Sequence, residues 1–188
     1  MFVGDQGFGD DLGSYLVRSS VSSDAFANLL GRSADIGMSS RRIEPAEARA
    51  LRKYGAGNMI DPTNEHIVAI DSLVVITHPD NPVNELSMDQ LRAIYIGEIT
   101  NWADIGGTDA PINAVQIREG SGTRSVFEDR VFEGNVNGAP AAPVSADGNS
   151  QVASIVNVNE DEHAIGYVSA AFQRRAKPVT LILSLIHI

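Results

Sequence analysis

Apolar positions along the chain alternate between helical spacing and short runs of strand type. Helical spacing marks residues 10–17 and 24–31, and a proline at position 45 opens a third helix that reaches about Tyr54. Strand patterns occupy 67–70, 73–77, 112–117, 165–168 and 179–183, and a short strand is also predicted at 34–38. Helices and strands that alternate in this way predict an α/β fold.

Boundary signals refine the middle and the end of this pattern. Ser87 stands before an apolar run with Gln90 three residues later, which predicts a capping box, and Gly97 ends that helix. The segment 134–149 is rich in Gly, Pro, Asn and Ala and is predicted to be a loop. Residues 151–158 fit a helix or a strand equally well.

Composition narrows the classes of function. The chain has 188 residues, 43% of them hydrophobic and 20% charged, which is ordinary for a folded globular protein. The formal charge of -10 argues against nucleic acid and against docking on anionic membranes. A small anion is still a possible ligand, because a local cluster of donors decides its binding.

Both ends of the chain carry information on processing. The first residues lack the basic and apolar stretch of a signal peptide, and the longest apolar run, 179–188, is too short to span a bilayer, so no direct membrane insertion is expected. The last six residues resemble the translation of a sequencing adaptor. We interpret 184–188 as a non-native tail; a genuine buried strand is the alternative.

A glycine-rich segment after the 112–117 strand is the strongest candidate for a binding site. Arg118 is followed by Gly120, Ser121, Gly122 and Thr123, and then by a helical pattern. Glycines let the backbone approach a ligand, and the first turn of a helix offers free N–H groups to an anion. Hydroxyl groups and a guanidinium add further donors. The alternative is a tight turn in which Ser121 or Thr123 only caps the helix.

A second segment has the same organisation. Ser39, Ser40 and Arg41 follow the predicted strand 34–38, which is the usual place of a ligand loop in an open α/β sheet. A polar surface loop is the plain alternative. Two arginines, Arg118 and Arg124, flank the glycine-rich segment and favour binding of an anion, because a helix cap needs no guanidinium.

No pattern for a metal, a cofactor or a nucleophile accompanies these segments. The four histidines stand far apart without metal-ligand spacing, and cysteine is absent. Ser121 as a nucleophile would need a base, for which His163 is only a formal candidate. We therefore expect neither catalysis nor a cofactor or metal.

Several motifs in sequence order resemble the phosphate-binding proteins of ABC importers, a family of type II periplasmic binding proteins. They cover the chain from about Gly31 to Ser169 and are closest to the branch sometimes joined to an outer-membrane-protein-A-like domain. The motifs are 35–41 (DIGMSSR), 65–71 (EHIVAID), 78–83 (HPDNPV), 96–102 (IGEITNW), 120–124 (GSGTR) and 164–169 (AIGYVS).

The resemblance implies a two-lobed fold with doubly wound mixed sheets whose first lobe is truncated, 1–72 forming part of the first lobe and 73–183 the second. It implies a monomer of the periplasm or cell envelope that delivers inorganic phosphate to a membrane permease. Ligands carried over by motif are Ser39, Ser40, Arg41, Arg118, Ser121, Gly122, Thr123 and Arg124. The first-lobe loop of the family must be sought in 7–9 or in 22–23.

Two departures from the family pattern leave alternatives open. Ser40 stands where members often have an aspartate, which puts selectivity against sulfate in doubt, and the short spacing from Arg118 to Ser121 lets Arg124 share the arginine's role. An envelope anchoring or sensing protein with such a domain is a second hypothesis. A phosphatase that uses Ser121 is the third.

Overall fold

The computed structural model describes residues 16–18, 20–133, 144–157 and 161–182. The helices are α1 (Ser22–Leu30), α2 (Pro45–Lys53), α3 (Met88–Ile96), α4 (Gly122–Phe132) and α5 (Asn149–Asn157), with short 3₁₀ turns at Trp102–Ile105 and Ala170–Phe172. The strands are β1 (Leu73–Thr77), β2 (Glu85–Ser87), β3 (Asn113–Ile117), β4 (Val144–Ala146), β5 (Ala164–Ser169), β6 (Lys177–Pro178) and β7 (Thr180–Ile182).

Five of the strands form one mixed sheet in the order β4-β3-β5-β1-β6. β3 runs parallel to both β4 and β5, whereas β1 pairs antiparallel with β5 and with β6. The crossovers β3–α4–β4 and β4–α5–β5 connect the parallel strands, as parallel pairing requires. β2 and β7 form a separate parallel pair. The mixed α/β class predicted from the hydrophobic pattern is confirmed.

Helix α3 shows how the local sequence defines its own boundaries. The Ser87 hydroxyl accepts from the Gln90 amide at 3.1 Å, and the Gln90 side chain accepts from the Ser87 amide at 2.9 Å. Gly97 ends the helix with φ of 80°, a left-handed conformation that glycine adopts without a Cβ clash. The predicted capping box and stop are therefore confirmed.

The core lies between the five-stranded sheet and the helices that cover it. Its largest members are fully buried aromatic side chains, with the rings of Phe127 and Tyr167 stacked at 3.8 Å between centroids. The Tyr95 hydroxyl donates to the Val115 carbonyl, and the Trp102 indole donates to the His163 carbonyl. Burial of these polar tips is thus compensated by backbone acceptors, and Trp102 is a structural residue of the core.

Two predicted strands are wrong. Residues 34–38 and 67–70 are not strands in the structure, and Ile36, Val68 and Ile70 are 84%, 96% and 96% exposed. Neither segment pairs with another strand in the described part of the chain. A β-branched sequence is stabilised as a strand by ladder partners and side-chain neighbours rather than by intrinsic preference, so the apolar pattern alone misled the prediction.

The remaining predictions of helices and loops are partly wrong and partly fall on residues that the structure does not describe. Residues 10–15 of the first predicted helix lie outside the described residues, and Leu16 and Val17 are not helical. The predicted loop 134–149 in fact contains β4 and the start of α5, while 134–143 lie outside the described residues. The ambiguous stretch 151–158 is helical through Asn157, and the proposed tail 184–188 is again outside the described residues.

No described helix combines the length and the apolar character needed to cross a bilayer.

Gly166 in β5 allows α5 to lie close to the sheet. A Cβ at this position would come within 2.5 Å of a Val152 methyl group. We expect Gly166→Ala to lower the free energy of unfolding by roughly 1–3 kcal/mol, because the core has no space for the added methyl group.

Gly148→Ala is the matched control, since a Cβ there meets nothing within 4 Å. Urea denaturation of both variants measures the difference. Equal destabilisation by the two substitutions would contradict the close approach of α5 to β5.

Candidate functional site

The candidate site lies at the edge of the sheet where β3, β4 and β5 all end. Parallel strands place their carboxyl ends at one edge, and ligands of open α/β sheets bind there. The Arg118 amide, directly after β3, donates to the Ala146 carbonyl at the end of β4 at 2.8 Å. The loops that lead into α4 and α5 therefore start side by side.

The glycine-rich segment turns β3 into α4. Gly120 has φ of 82°, and Ser121 is the N-cap of α4, its hydroxyl oxygen accepting from the Arg124 amide at 3.4 Å. Ser121 therefore caps the helix, and its additional role as a ligand stays a prediction. A hydroxyl that accepts through its oxygen keeps its own proton to donate to an anion.

The N-terminus of α1 meets the N-terminus of α4 at this edge. The Ser23 amide donates to the Gly120 carbonyl at 3.2 Å, which joins residues far apart in the sequence. A Cβ on Gly122 would clash with the hydroxyl oxygens of Ser22 and Ser40, so only glycine permits the approach. The two N-termini bring the positive ends of two helix dipoles to one place.

Ser22 and Ser40 form a hydroxyl pair opposite the start of α4. Their Oγ atoms lie 3.3 Å apart, and the Ser40 amide donates to the Ser22 hydroxyl at 3.2 Å. Ser22 is buried, whereas Ser40 is exposed. Ser39 differs, because its hydroxyl donates to the Arg41 carbonyl at 2.7 Å and is directed into its own loop.

Arg118 is the predicted arginine whose side chain extends from the edge of the sheet. Its Nε donates to the Asp147 carbonyl at 3.3 Å, and its side chain is exposed. Within the described ranges it makes no ion pair with a carboxylate. Its positive charge is consequently available to an anion at the neighbouring helix N-termini.

The guanidinium of Arg41 is instead engaged inside the protein. It forms a two-point ion pair with Glu47 at 2.7 and 2.9 Å, and it lies over the Phe26 ring at 5.1 Å. Its Nη2 also donates to the Ser23 hydroxyl, and the side chain is only 5% exposed. These contacts join α1, α2 and the loop of Ser40, and the predicted role of Arg41 as a ligand stays a prediction.

The Arg41–Glu47 pair shifts the ionisation of both groups. The hydrogen bond with Glu47 raises the pKa of Arg41 against the opposing effect of burial. Burial by itself would raise the pKa of Glu47. The hydrogen bonds from Arg41 and from the Glu44 amide, together with the charge of Arg41, outweigh burial and hold the pKa of Glu47 below its ordinary value.

Arg124 is likewise paired with a carboxylate. Its Nε donates to Glu128 one helical turn later at 2.7 Å, and its Nη1 donates to the Ile117 carbonyl at 3.2 Å. The Ile117 amide donates to the Tyr167 hydroxyl at 3.3 Å. Arg124 and Tyr167 thus hold the last residue of β3 from both sides, directly before Arg118. A ligand role for Arg124 stays a prediction.

Thr123 lies buried on the first turn of α4, next to the start of α5. Its hydroxyl oxygen accepts from the side-chain amide of Asn149 at 3.2 Å, and the Asn149 oxygen accepts from the Ser169 amide at 3.0 Å. The first residue of α5 therefore connects α4 with the end of β5. A third helix N-terminus reaches the same edge.

The structure adds residues that the sequence prediction did not assign to the site. The sequence places Ser22 only in one of two candidates for the first-lobe loop, and it predicts no role for Asn149. The N-cap of α1 is Val21, which makes no side-chain cap, so no capping signal in the sequence places the start of the helix at Ser22. The other candidate loop, 7–9, lies outside the described residues.

His163 is at the opposite edge of the sheet from Ser121. It precedes β5, whose six residues span roughly 17–20 Å, and Ser169 at the far end of β5 bonds to Asn149. His163 is therefore not placed to act as a base for Ser121. Across the part of the chain that the structure covers, no three acidic or histidine side chains cluster in a way that could hold a metal ion.

Comparison with known proteins agrees with this geometry. The family model of the PBP superfamily domain matches residues 13–183, which is most of the chain. The chain belongs to the PBP superfamily.

Within that superfamily, proteins described as phosphate-binding are similar to this chain. A solved structure from Clostridium perfringens, a putative phosphate ABC transporter substrate-binding protein with bound phosphate, is 33% identical with a TM-score of 0.73, over 86% of this chain and 61% of that one. An ABC-type phosphate transport receptor from Vibrio cholerae is 29% identical with a TM-score of 0.63, over 85% and 62%.

Curated relatives show the same similarity over a smaller share of their length. The phosphate-binding protein PstS of Bacillus subtilis is 32% identical over 57% of this chain and 34% of that protein. PstS of Pseudomonas aeruginosa is 27% identical over 84% and 50%. The chain thus spans between one third and one half of these relatives. A fused outer-membrane-protein-A-like domain stays a prediction.

The paired state of Arg41 generates a prediction for acid stability. Because the folded pKa of Glu47 lies below its unfolded value near 4.3, the pair stabilises the fold above that value. This contribution is lost as the pH falls through the folded pKa. We expect Glu47→Gln to lower the free energy of unfolding by roughly 2–4 kcal/mol near neutral pH, since the buried guanidinium keeps only the longer contact with the exposed carboxylate of Glu44 at 3.5 Å. The difference from wild type should shrink below about pH 4.

Glu65→Gln is the control, because Glu65 pairs at 3.8 Å with Arg42, whose side chain is 79% exposed. Its cost should stay below about 1 kcal/mol. Urea unfolding between pH 7 and pH 3 measures both variants. A deficit of Glu47→Gln that does not change with pH would refute the paired state.

Proposed function

We propose that this chain is the ligand-binding part of a substrate-binding protein that captures inorganic phosphate for an ABC importer. The observation that carries the proposal is the convergence of three helix N-termini at one edge of the sheet, beginning at Ser22, Gly122 and Asn149. Free backbone N–H groups and positive dipole ends at such termini stabilise an anion.

The side chains at this edge are suited to a small oxyanion with several oxygens. Hydroxyl groups come from Ser22, Ser40, Ser121 and Thr123, and one guanidinium comes from Arg118. Donors that approach from α1 on one side and from α4 on the other can satisfy oxygens that point in different directions. A tetrahedral anion such as phosphate has this distribution of acceptors.

The balance of charge supports an anion of low total charge that is bound mainly by hydrogen bonds. Arg41 and Arg124 are each neutralised by a carboxylate, which leaves Arg118 as the positive side chain of the edge. Dipole ends and neutral hydroxyls supply the remaining stabilisation. Such a site works in an acidic protein, because its fixed donors act locally and net charge acts mainly on the rate of encounter.

The names of the relatives supply the biological context of the proposal. Similar proteins are described as phosphate-binding and as parts of phosphate ABC transporters. By analogy, the complete protein would act as a monomer in the periplasm or cell envelope, close over phosphate between two lobes divided near residue 72, and deliver it to a membrane permease. Binding would proceed without turnover, in keeping with the distance of His163 from Ser121 in the described part of the chain.

Substitutions at the edge of the sheet test the location of the site. We expect Arg118→Gln and Ser121→Ala each to weaken phosphate binding about 10- to 100-fold, the effect of losing one charge-assisted hydrogen bond. Isothermal titration calorimetry measures the dissociation constants.

Arg130→Gln is the matched control, because Arg130 is an exposed arginine in the last turn of α4, at the end of the helix away from the proposed site. It should bind phosphate like the wild type. An Arg118→Gln variant with wild-type affinity would move the site away from this edge.

Selectivity among oxyanions tests the choice of ligand. Phosphate at about a hundredfold excess over its dissociation constant should stabilise the folded chain by roughly 2.7 kcal/mol, and arsenate, which has the same shape and protonation, should act similarly. Thermal unfolding with phosphate, arsenate and sulfate measures this. Stabilisation by sulfate without stabilisation by phosphate would overturn the assignment.

The alternative of a phosphatase that uses Ser121 is tested with a chromogenic phosphate ester. The wild-type chain should hydrolyse this ester no faster than the Ser121→Ala variant does.

A further inference from the structure

The side chain of Asn149 connects two elements at the proposed site and caps neither of them. Its oxygen accepts from the backbone amide of Ser169 at 3.0 Å, and its nitrogen donates to the Thr123 hydroxyl at 3.2 Å. Although Asn149 is the first residue of α5, both polar ends of its side chain are used on β5 and α4. This arrangement is unlike that of a residue that merely starts a helix.

The direction of these two hydrogen bonds is determined by chemistry. A backbone N–H can only donate, so the oxygen of the Asn149 carboxamide must face Ser169. Its NH₂ group must then face Thr123, and this group has no lone pair with which to accept. The Thr123 oxygen is therefore obliged to accept, and its hydroxyl proton is directed elsewhere.

The remaining proton of Thr123 belongs to a buried hydroxyl on the first turn of α4. Thr123 is 8% exposed and follows Gly122, where an added Cβ would clash with the Ser22 and Ser40 hydroxyls. Among the hydrogen bonds of the described residues, the one from Asn149 is the only one that Thr123 makes with its side chain. Ser121 beside it likewise accepts from a backbone amide and retains its proton.

We propose that Asn149 is a positioning residue that directs the Thr123 hydroxyl proton toward an oxygen of the ligand. The inference rests on the proposed function and deepens it. A threonine hydroxyl can donate to an unprotonated oxygen or accept from a protonated one. With Asn149 in place, one lone pair of the Thr123 oxygen is occupied and the hydroxyl proton is free to donate, as is the proton of the Ser121 hydroxyl, so both hydroxyls at the start of α4 can donate to the ligand.

Asn149→Asp tests the proposal because it keeps the shape of the side chain and reverses its role. The carboxylate still accepts from the Ser169 amide, but it can only accept from Thr123 and so takes the hydroxyl proton away from the ligand. Ser150→Asp is the matched control, since it places the same charge one residue further along the exposed first turn of α5. Both variants are compared with wild type by calorimetric titration with inorganic phosphate.

We expect Asn149→Asp to weaken phosphate binding at least tenfold more than Ser150→Asp does. The same two substitutions in a Thr123→Val background should differ by less than threefold, because the hydroxyl through which Asn149 acts is gone. If Asn149→Asp and Ser150→Asp weaken phosphate binding equally in the chain that keeps Thr123, the proposal is overturned. It is also overturned if Asn149→Asp still weakens binding more than Ser150→Asp does when position 123 is valine, because Asn149 would then act through something other than the Thr123 hydroxyl.

Asn149→Ala provides a second measurement if the charged variant does not fold. Removal of the amide leaves the Thr123 hydroxyl undirected, and binding should weaken about three- to tenfold with threonine present and less than twofold with valine at position 123. Equal losses in both backgrounds would contradict the proposal. Failure of the wild-type chain to bind phosphate is a separate result, since it overturns the proposed function itself and this inference with it.

Discussion

Parallel pairing of β3 with β4 and β5 is the constraint on which the site depends. Strands that run in the same direction end at the same edge, and each helix that follows must begin there. The starts of α4 and α5 are consequently neighbours, as the hydrogen bond between Asn149 and Thr123 shows. Without this pairing, the glycine-rich turn after Ile117 would lead into a capped helix whose N-terminus stands alone. One helix N-terminus by itself supplies few donors to an anion.

A second constraint is the distribution of carboxylates around the arginines. Glu47 and Glu128 each neutralise an arginine close to the site, and both pairs serve to hold backbone in place. The pair with Glu47 ties together the elements that carry Ser22 and Ser40. The pair with Glu128 lets Arg124 hold the carbonyl at the end of β3. Of the three arginines near the candidate site, Arg118 alone makes no ion pair within the described residues, so the proposed site would combine one unpaired guanidinium with mostly neutral donors.

The sequence predictions are correct where an element depends on residues close together in the chain, and they fail where it depends on residues far apart. The capping box of α3 and its glycine stop depend on neighbouring residues and were predicted correctly. The apolar runs at 34–38 and 67–70 were predicted as strands, but a strand depends on its ladder partner, and sequence pattern does not reveal whether a partner is present. The pairing of Arg124 with Glu128 could have been read from their spacing of one helical turn. The pairing of Arg41 with Glu47 spans a loop and a helix start and offered no such signal.

By itself, the sequence determined the local chemistry of this protein: an α/β pattern, a glycine-rich turn from Arg118 to Thr123 before a helix, and a second hydroxyl-bearing loop at Ser39 and Ser40. Helical period, caps and turns are encoded by residues a few positions apart, so these features can be read directly. Only the tertiary structure decided which donors meet. Ser23 reaches Gly120 across 97 positions of the chain, and that contact brings Ser22 to the start of α4. Such convergence depends on the order and direction of strands and on the mutual burial of distant elements, which no local pattern specifies.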